Sequence, residues 1–188
     1  MTSAPATDRL FSSVIRAGLM GVACVTAVQV VTAQDAATFP RVRSNSARIV
    51  DAIALGVERS ATFRGLVDTI DATDGLVFVE EGRCGHSGIR ACLLLSVTVA
   101  GPHRLLRILL EPNKAPGCEL VEAVGHELQH AVEVLHERRI RSDLQIHNFF
   151  DRLARAVSGR FETDEAMEAG LAVSREACRG RRTNRRRD

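Results

Sequence analysis

The chain has 188 residues, of which 45% are apolar, and its formal net charge at pH 7 is +2. The apolar share is sufficient for the core of one domain, and residues 34–188 have the length of a single domain. A net charge so close to zero gives no reason to expect a nucleic-acid partner.

Residues 1–33 are predicted to be a signal peptide. Arg9 and Arg16 precede an apolar stretch at residues 17–31, and the small residues Thr32 and Ala33 end it, which is the order of regions in a secretory signal. The stretch is shorter than the roughly 20 residues of a membrane span, so we favour cleavage over an N-terminal membrane anchor. We therefore expect a secreted or periplasmic protein, with an outward-facing membrane-anchored protein as the alternative.

The cysteine count agrees with export. Cys24 lies in the predicted signal, and four cysteines remain, an even number that suggests disulfides in an oxidising compartment. Three pairings can be drawn among them. We favour Cys84–Cys92, which closes a glycine-rich loop, together with Cys118–Cys178, and four buried free thiols are the alternative.

After a linker at residues 34–45, residues 46–178 are predicted to form one domain. Apolar residues recur at the spacing of a helix or a strand along most of this region. The predicted helices cover residues 46–58, 60–70, 118–137, 143–157 and 162–178, and the predicted strands cover residues 76–80, 91–99 and 104–110. The Gly101-Pro102 turn favours an antiparallel hairpin between the last two strands. The predicted fold class is α+β, with a small antiparallel sheet of about three strands packed with helices.

Residues 179–188 contain six arginines and no apolar residue, a composition that predicts a disordered tail. Such a tail is most simply a solvated segment. Its charge would also allow contact with anionic lipid, a cell-wall polymer or nucleic acid, and the apolar N-terminal segment offers a second route to membrane contact.

The most informative motif is His126-Glu127-Leu128-Gln129-His130, which lies within the predicted helix at residues 118–137. Residues four apart on a helix lie on the same face, so His126 and His130 can offer two imidazole nitrogens to one zinc ion. Glu127 is rotated by about 100° around the helix axis, where it can reach a zinc-bound water without being a ligand itself. The spacing predicts the metal-binding helix of a zinc hydrolase.

The segment at residues 123–132 resembles the active-site helix of the zincin metallopeptidases. The later segment at residues 161–166, Phe-Glu-Thr-Asp-Glu-Ala, looks like the part of the gluzincin branch that supplies a third, glutamate ligand. The chain is also similar to small, uncharacterised secreted bacterial proteins that combine a His-Glu-Leu-Gln-His helix with a Phe-Glu-Thr segment. The resemblance covers about residues 119–171 and implies a zincin-like active-site helix and zinc-dependent hydrolysis of peptide bonds.

A catalytic zinc needs three protein ligands, with water in the fourth position. We favour Glu162 as the third ligand because Phe161 before it can anchor the start of the predicted helix at residues 162–178 in the core. Glu165, one turn later, and Glu168 are the alternatives. The competing view is that these acidic residues are a solvated first turn that complements the helix dipole.

His136 is a further candidate for the third ligand. It occupies the place of the last histidine in the pattern H-E-x-x-H-x-x-G-x-x-H, but position 133 holds glutamate where that pattern has glycine. Without the glycine the helix is expected to continue, which places His136 about 15 Å along the axis from His126. That distance is too long for the two side chains to share an ion.

The predicted roles follow from this arrangement. Glu127 is the general base that takes a proton from water and passes it to the leaving amine. The oxyanion needs a further donor, for which we name His147 first and His103 and Arg107 as alternatives. For His147 itself, an ordinary, partly exposed histidine is the better explanation.

The leading functional hypothesis is an exported zinc metallopeptidase that acts on a peptide or protein substrate with a zinc ion as cofactor. Hydrolysis of another amide or ester stays open within this class. The alternative is a non-catalytic zinc-binding or interaction domain of the cell envelope. A third hypothesis is an exported structural protein in which the two histidines face solvent on an amphipathic helix and bind no metal.

Overall fold

A computed structural model describes residues 40–85, 88–153, 155–157 and 160–178. The predicted signal at residues 1–33, most of the predicted linker and the arginine-rich tail at residues 179–188 lie outside the described residues. The described chain consists of helices and short strands, in agreement with the predicted α+β class.

The helices of the described residues are α1 (Ala47–Arg59), α2 (Ala61–Asp71), α3 (Cys118–His136), α4 (Asp143–Leu153) and α5 (Asp164–Ala177), with a 3₁₀ turn at Pro112–Lys114. The strands are β1 (Val42–Arg43), β2 (Gly75–Glu81), β3 (Ala91–Leu93), β4 (Thr98–Ala100), β5 (His103–Leu110), β6 (Arg155–Val157) and β7 (Arg160–Glu162). All five helices were predicted, with shifted ends. The largest shift is in α4, because residues 155–157 of its predicted range form β6.

The main sheet is mixed and has five strands, so the prediction of an antiparallel sheet of about three strands is wrong. Strand β5 pairs in parallel with β2 and antiparallel with both β3 and β4, while β1 pairs in parallel with β2. Parallel neighbours require a long crossover, which α1 and α2 provide between β1 and β2. Strand β1 has two residues, too few to show alternation, and it falls in the predicted linker.

The predicted strand at residues 91–99 is divided into β3 and β4. Between them the Val97 N–H donates to the Asp143 carboxylate at 3.0 Å and not to a strand. The hairpin predicted across Gly101-Pro102 is confirmed, since β4 and β5 are antiparallel neighbours. Gly101 has a φ of 57° in this turn, which favours glycine.

Helix α3 lies at the centre of the domain, against one face of the sheet and against α1, α2 and α5. Every second residue of β5 points toward this core, as strand geometry requires, and Leu106, Ile108 and Leu110 are fully buried. The other face of β5 is half-buried or exposed. The His126–His130 motif is therefore carried by the most enclosed helix of the described chain.

Helix α5 is joined to α2 by polar contacts at its C-terminal end. The Glu176 carboxylate accepts hydrogen bonds from the Ser60 hydroxyl at 2.6 Å and from the Thr62 N–H at 3.0 Å. These bonds, the Ser60 bond foremost, hold the pKa of Glu176 below its ordinary value. Ser60 also caps α2 by accepting from Phe63 N, so this end of α5 is fixed to the helix layer.

Two disulfides join Cys84 to Cys92 and Cys118 to Cys178, with Cα–Cα distances of 5.9 and 5.8 Å, which confirms the favoured pairing. The second disulfide ties the start of α3 to the end of α5. Such cross-links are typical of an oxidising extracellular or periplasmic setting. Among the helices in the described part of the chain, none has the length and apolar character that crossing a membrane requires.

Loss of the two disulfides should have unequal effects on stability. Cys118 and Cys178 are 60 residues apart in sequence, against eight for Cys84 and Cys92. From the loop-closure entropy that a disulfide removes from the unfolded chain, the expected stabilisation is about 4 kcal/mol for the longer loop and about 2.5 kcal/mol for the shorter one. Urea unfolding of the two double serine variants should show this order, and a larger loss in the Cys84/Cys92 variant would contradict it.

Candidate metal centre

Three potential metal ligands converge between α3 and β7. His126 and His130 lie one turn apart on α3, and Glu162 is the last residue of β7. Their ligand atoms all lie within 4.8 Å of one another, and His126 Nε2 is 3.1 Å from Glu162 Oε2. The ligand atoms of a tetrahedral zinc are about 3.3 Å apart, so small side-chain rotations would close this group around one ion.

The prediction that Glu162 begins the last helix is wrong. Glu162 ends a strand, and the next residue, Thr163, is the N-cap of α5, whose hydroxyl accepts from Ala166 N at 3.2 Å. The acidic residues after Thr163 belong to the first helical turn, where they complement the helix dipole. The prediction of a helix in this segment is confirmed, but α5 begins at Asp164, two residues later than predicted.

The alternative ligands do not join the group. His136 is exposed at the end of α3, and Glu165 and Glu168 are exposed on α5. Within the described ranges, the three residues named above are the only set of His, Cys, Asp or Glu side chains close enough together to hold a metal.

Glu127 is buried beside this group, with 6% of its surface exposed. Its Oε2 accepts a hydrogen bond from Leu93 N at 2.6 Å. Because Leu94 N donates to Arg107 O on β5, the alternation of an antiparallel ladder points the Leu93 N–H away from β5 and toward α3. Burial raises the pKa of Glu127 above its ordinary value, against the opposing charges of the two histidines.

The charge balance of the site favours a cation. Burial tends to lower the pKa of His126, but its hydrogen bond to the Glu162 carboxylate and the nearby charges of Glu127 and Glu133 outweigh this effect, so the pKa of His126 is raised. Three carboxylates thus surround two imidazoles in a poorly hydrated space. A divalent ion would offset this excess of negative charge, and a set of two histidines and one carboxylate is a known zinc ligand set.

Sequence reasoning had assigned neither Glu133, which contacts His130, nor Thr163, which contacts Glu133, to the site. His130 Nδ1 lies 3.1 Å from Glu133 Oε2, and the Thr163 hydroxyl donates to Glu133 Oε1 at 2.7 Å. The Phe150 ring meets the His130 ring edge-on, with centroids 5.6 Å apart. Glu133 could have been found from its i+3 spacing to His130. The contact with Thr163 spans 30 residues and has no local signal.

A cavity of about 320 Å³ opens beside the candidate ligands. Glu127, His130 and Glu162 line it, and its other walls are mainly residues of β3, the Cys84–Cys92 disulfide and aromatic side chains. His147 lies at its wall with an exposed side chain. The structure does not bring His103 or Arg107 to this cavity: His103 contacts Arg41, and Arg107 pairs with Glu80.

Two glycines allow α3 and α5 to approach closely. A Cβ at Gly125 would lie 2.8 Å from Val173 Cγ2, and a Cβ at Gly170 would lie 3.2 Å from His126 Cβ. Gly125 is therefore needed for packing, although glycine weakens a helix. This close approach is what puts β7, just before α5, within reach of the histidines.

Alanine substitution should separate this packing role from helix propensity. Gly125→Ala should lower the free energy of unfolding by about 1–3 kcal/mol, because the methyl group overlaps Val173. Gly65→Ala is the matched control, since an added Cβ there meets nothing within 4 Å, and it should raise the free energy of unfolding by up to about 1 kcal/mol. Urea unfolding measures both. Equal stabilisation by the two variants would refute close packing at Gly125.

The fold and the site together define an α+β domain with a two-histidine, one-glutamate group able to hold a metal beside a buried carboxylate. Comparisons with protein-family models, with curated proteins and with solved structures find no match to this chain.

Proposed function

We propose that this protein is an exported zinc-dependent metallopeptidase. The observation that carries the proposal is the convergence of His126, His130 and Glu162 next to Glu127, at the wall of a cavity. Ligands, general base and substrate space thus meet at one place. The two disulfides support the exported setting.

Bound zinc would supply Lewis-acid chemistry, polarising a peptide carbonyl and lowering the pKa of water. His126, His130 and Glu162 would hold it. Glu127 would accept a proton from the attacking water and deliver it to the leaving nitrogen, which suits a carboxyl whose pKa is raised. The Leu93 N–H fixes the orientation of this carboxylate. His147 is the donor that we propose for the oxyanion, because it lies at the cavity wall.

The substrate we propose is an extended peptide. Strand β3 is the last strand in the order β1-β2-β5-β3, so its outer edge has no strand neighbour in the described sheet. Ala91 and Leu93 direct their backbone groups to this edge, where Leu93 meets Glu127. A peptide added to this edge would run along the cavity beside the metal ligands.

Metal content tests the proposal. Elemental mass spectrometry of the purified protein should give one zinc per chain, and the His126→Ala and Glu162→Ala variants should each lose it. Glu165→Ala is the matched control and should keep the zinc, since this side chain is exposed on α5. No zinc in the wild-type protein, even after reconstitution, would overturn the enzyme proposal. With zinc present, a fluorogenic peptide library then tests for hydrolysis.

The second candidate is a non-catalytic zinc-binding or interaction domain. The short bond between Leu93 N and Glu127 Oε2, 2.6 Å, favours it, since it gives the carboxylate a structural role. The two candidates differ in what they require of Glu127. The metallopeptidase needs its negatively charged carboxylate as a base, and the non-catalytic domain does not.

A further inference from the structure

We infer that Glu133 and Thr163 form a positioning network that fixes His130 relative to Glu162, an inference that rests on the proposed zinc site. The network links the two parts of the chain that supply the ligands. It adds two residues to the site beyond the three ligands and the general base.

The contacts of Glu133 leave little freedom to this side chain. Its Oε2 faces His130 Nδ1 at 3.1 Å, and its Oε1 accepts from the Thr163 hydroxyl at 2.7 Å and from Gln129 Nε2 at 3.5 Å. The side chains of His130 and Glu133 are 5% and 9% exposed. A buried carboxylate with partners on both oxygens has a defined orientation. The His130 imidazole, which contacts this carboxylate, is therefore held in one orientation as well.

The pairing with Glu133 determines which nitrogen of His130 can bind metal. A carboxylate can only accept, so Nδ1 carries the proton and Nε2 keeps its lone pair. A carboxylate behind a metal-binding histidine also makes the imidazole a stronger donor. Glu133 thus acts on the metal through His130 and is not itself a ligand.

Thr163 connects this arrangement to the third ligand. Its hydroxyl donates to Glu133 on α3 and accepts from Ala166 N at the start of α5. Glu162 is the preceding residue, so a threonine fixed at this point also fixes the backbone from which the Glu162 carboxylate projects. The hydrogen bond from Thr163 to Glu133 joins the helix that supplies two ligands to the strand that supplies one.

A double-mutant cycle tests the inference, with zinc affinity measured on the purified protein by competition with a chromophoric chelator. Glu133→Gln and Thr163→Val should each weaken zinc binding by about 10–100-fold, the range for partners behind metal ligands. The double variant should lose little more than either single variant, because both remove one shared interaction. Thr163→Ser keeps the hydroxyl and should stay within about threefold of wild type.

Two controls separate this role from general destabilisation. Glu137→Gln makes the same chemical change on an exposed side chain just beyond α3 and should leave the affinity unchanged. Thr163→Asp retains an N-cap for α5 but cannot donate to Glu133, so it should lose affinity as Thr163→Val does. A second readout is the ¹⁵N spectrum of the His130 ring, which should show a protonated Nδ1 in the wild type.

The outcomes are distinct. Wild-type protein that binds no zinc overturns the proposed function, and the network with it. Zinc binding by the wild type, with unchanged affinity in Glu133→Gln or with additive losses in the double variant, overturns only the network. Loss in Thr163→Val that Thr163→Asp restores would assign the effect to the helix cap and would also overturn the network.

Discussion

Replacing Glu127 with glutamine should lower the rate of peptide hydrolysis by about 10²–10⁴-fold, the usual contribution of a general base, while leaving zinc bound. The glutamine oxygen can still accept from the Leu93 N–H, which donates to Glu127 Oε2 at 2.6 Å. The substitution preserves shape and that hydrogen bond, and it removes the ability to accept a proton from water.

The measurement is the turnover of a fluorogenic peptide at equal zinc occupancy, with the metal content of each sample determined in parallel. Glu137→Gln is the matched control and should retain wild-type turnover. Full turnover in Glu127→Gln would contradict the assigned role of Glu127. An intact fold, bound zinc and no hydrolysis by either protein would favour the non-catalytic domain.

The helix α3, which carries the two candidate histidine ligands, could be predicted because local signals agreed. The spacing of His126 and His130 sets their common face, and the surrounding apolar residues have helical periodicity over the whole of α3. The disulfide pairing was also predicted, and both bonds form. These features depend on residues close in sequence or on a choice among few pairings.

The features of the fold and the site that were not predicted depend on contacts between residues far apart in sequence. The parallel pairing of β1 with β2 involves a two-residue strand, which cannot display a period. Leu93 meets Glu127 only because β3 is an edge strand that passes α3. Thr163 was predicted inside a helix although it is the N-cap of α5, and its contact with Glu133 was missed because the two residues are 30 positions apart.

Arg104 was predicted only as a strand residue, yet it is fully buried. Its guanidinium forms an ion pair with Asp74 at 2.7 Å. It also donates to backbone oxygens at the end of α3, including Leu135 O at 2.6 Å and Glu137 O at 2.9 Å. The last carbonyls of a helix lack partners within the helix, and a cation there is favoured by the dipole.

Arg104→Ala should therefore lower the free energy of unfolding by about 3–5 kcal/mol, because several backbone oxygens at the end of α3 lose their donor together with Asp74, at about 1–3 kcal/mol for each buried group left unpaired. Arg107→Ala is the matched control on the same strand. Its side chain is 47% exposed and pairs with Glu80, and a surface pair contributes at most about 1 kcal/mol. Urea unfolding of both variants at pH 7 measures the difference, and similar losses would contradict the special role of Arg104.

The dependence on pH gives the Arg104 prediction a second signature. The hydrogen bond from Arg104, opposed by burial and aided by the guanidinium charge, holds the pKa of Asp74 below its ordinary value. A carboxyl with a lowered folded pKa contributes its stability in full above its unfolded pKa of about 4, and loses it as the pH falls through the folded pKa.

Wild type should thus lose stability below about pH 4 faster than Arg104→Ala, whose Asp74 has lost this partner. The gap between the two proteins should narrow in acid, and a gap that stays constant down to about pH 2 would show that Asp74 is not the partner that makes Arg104 stabilising.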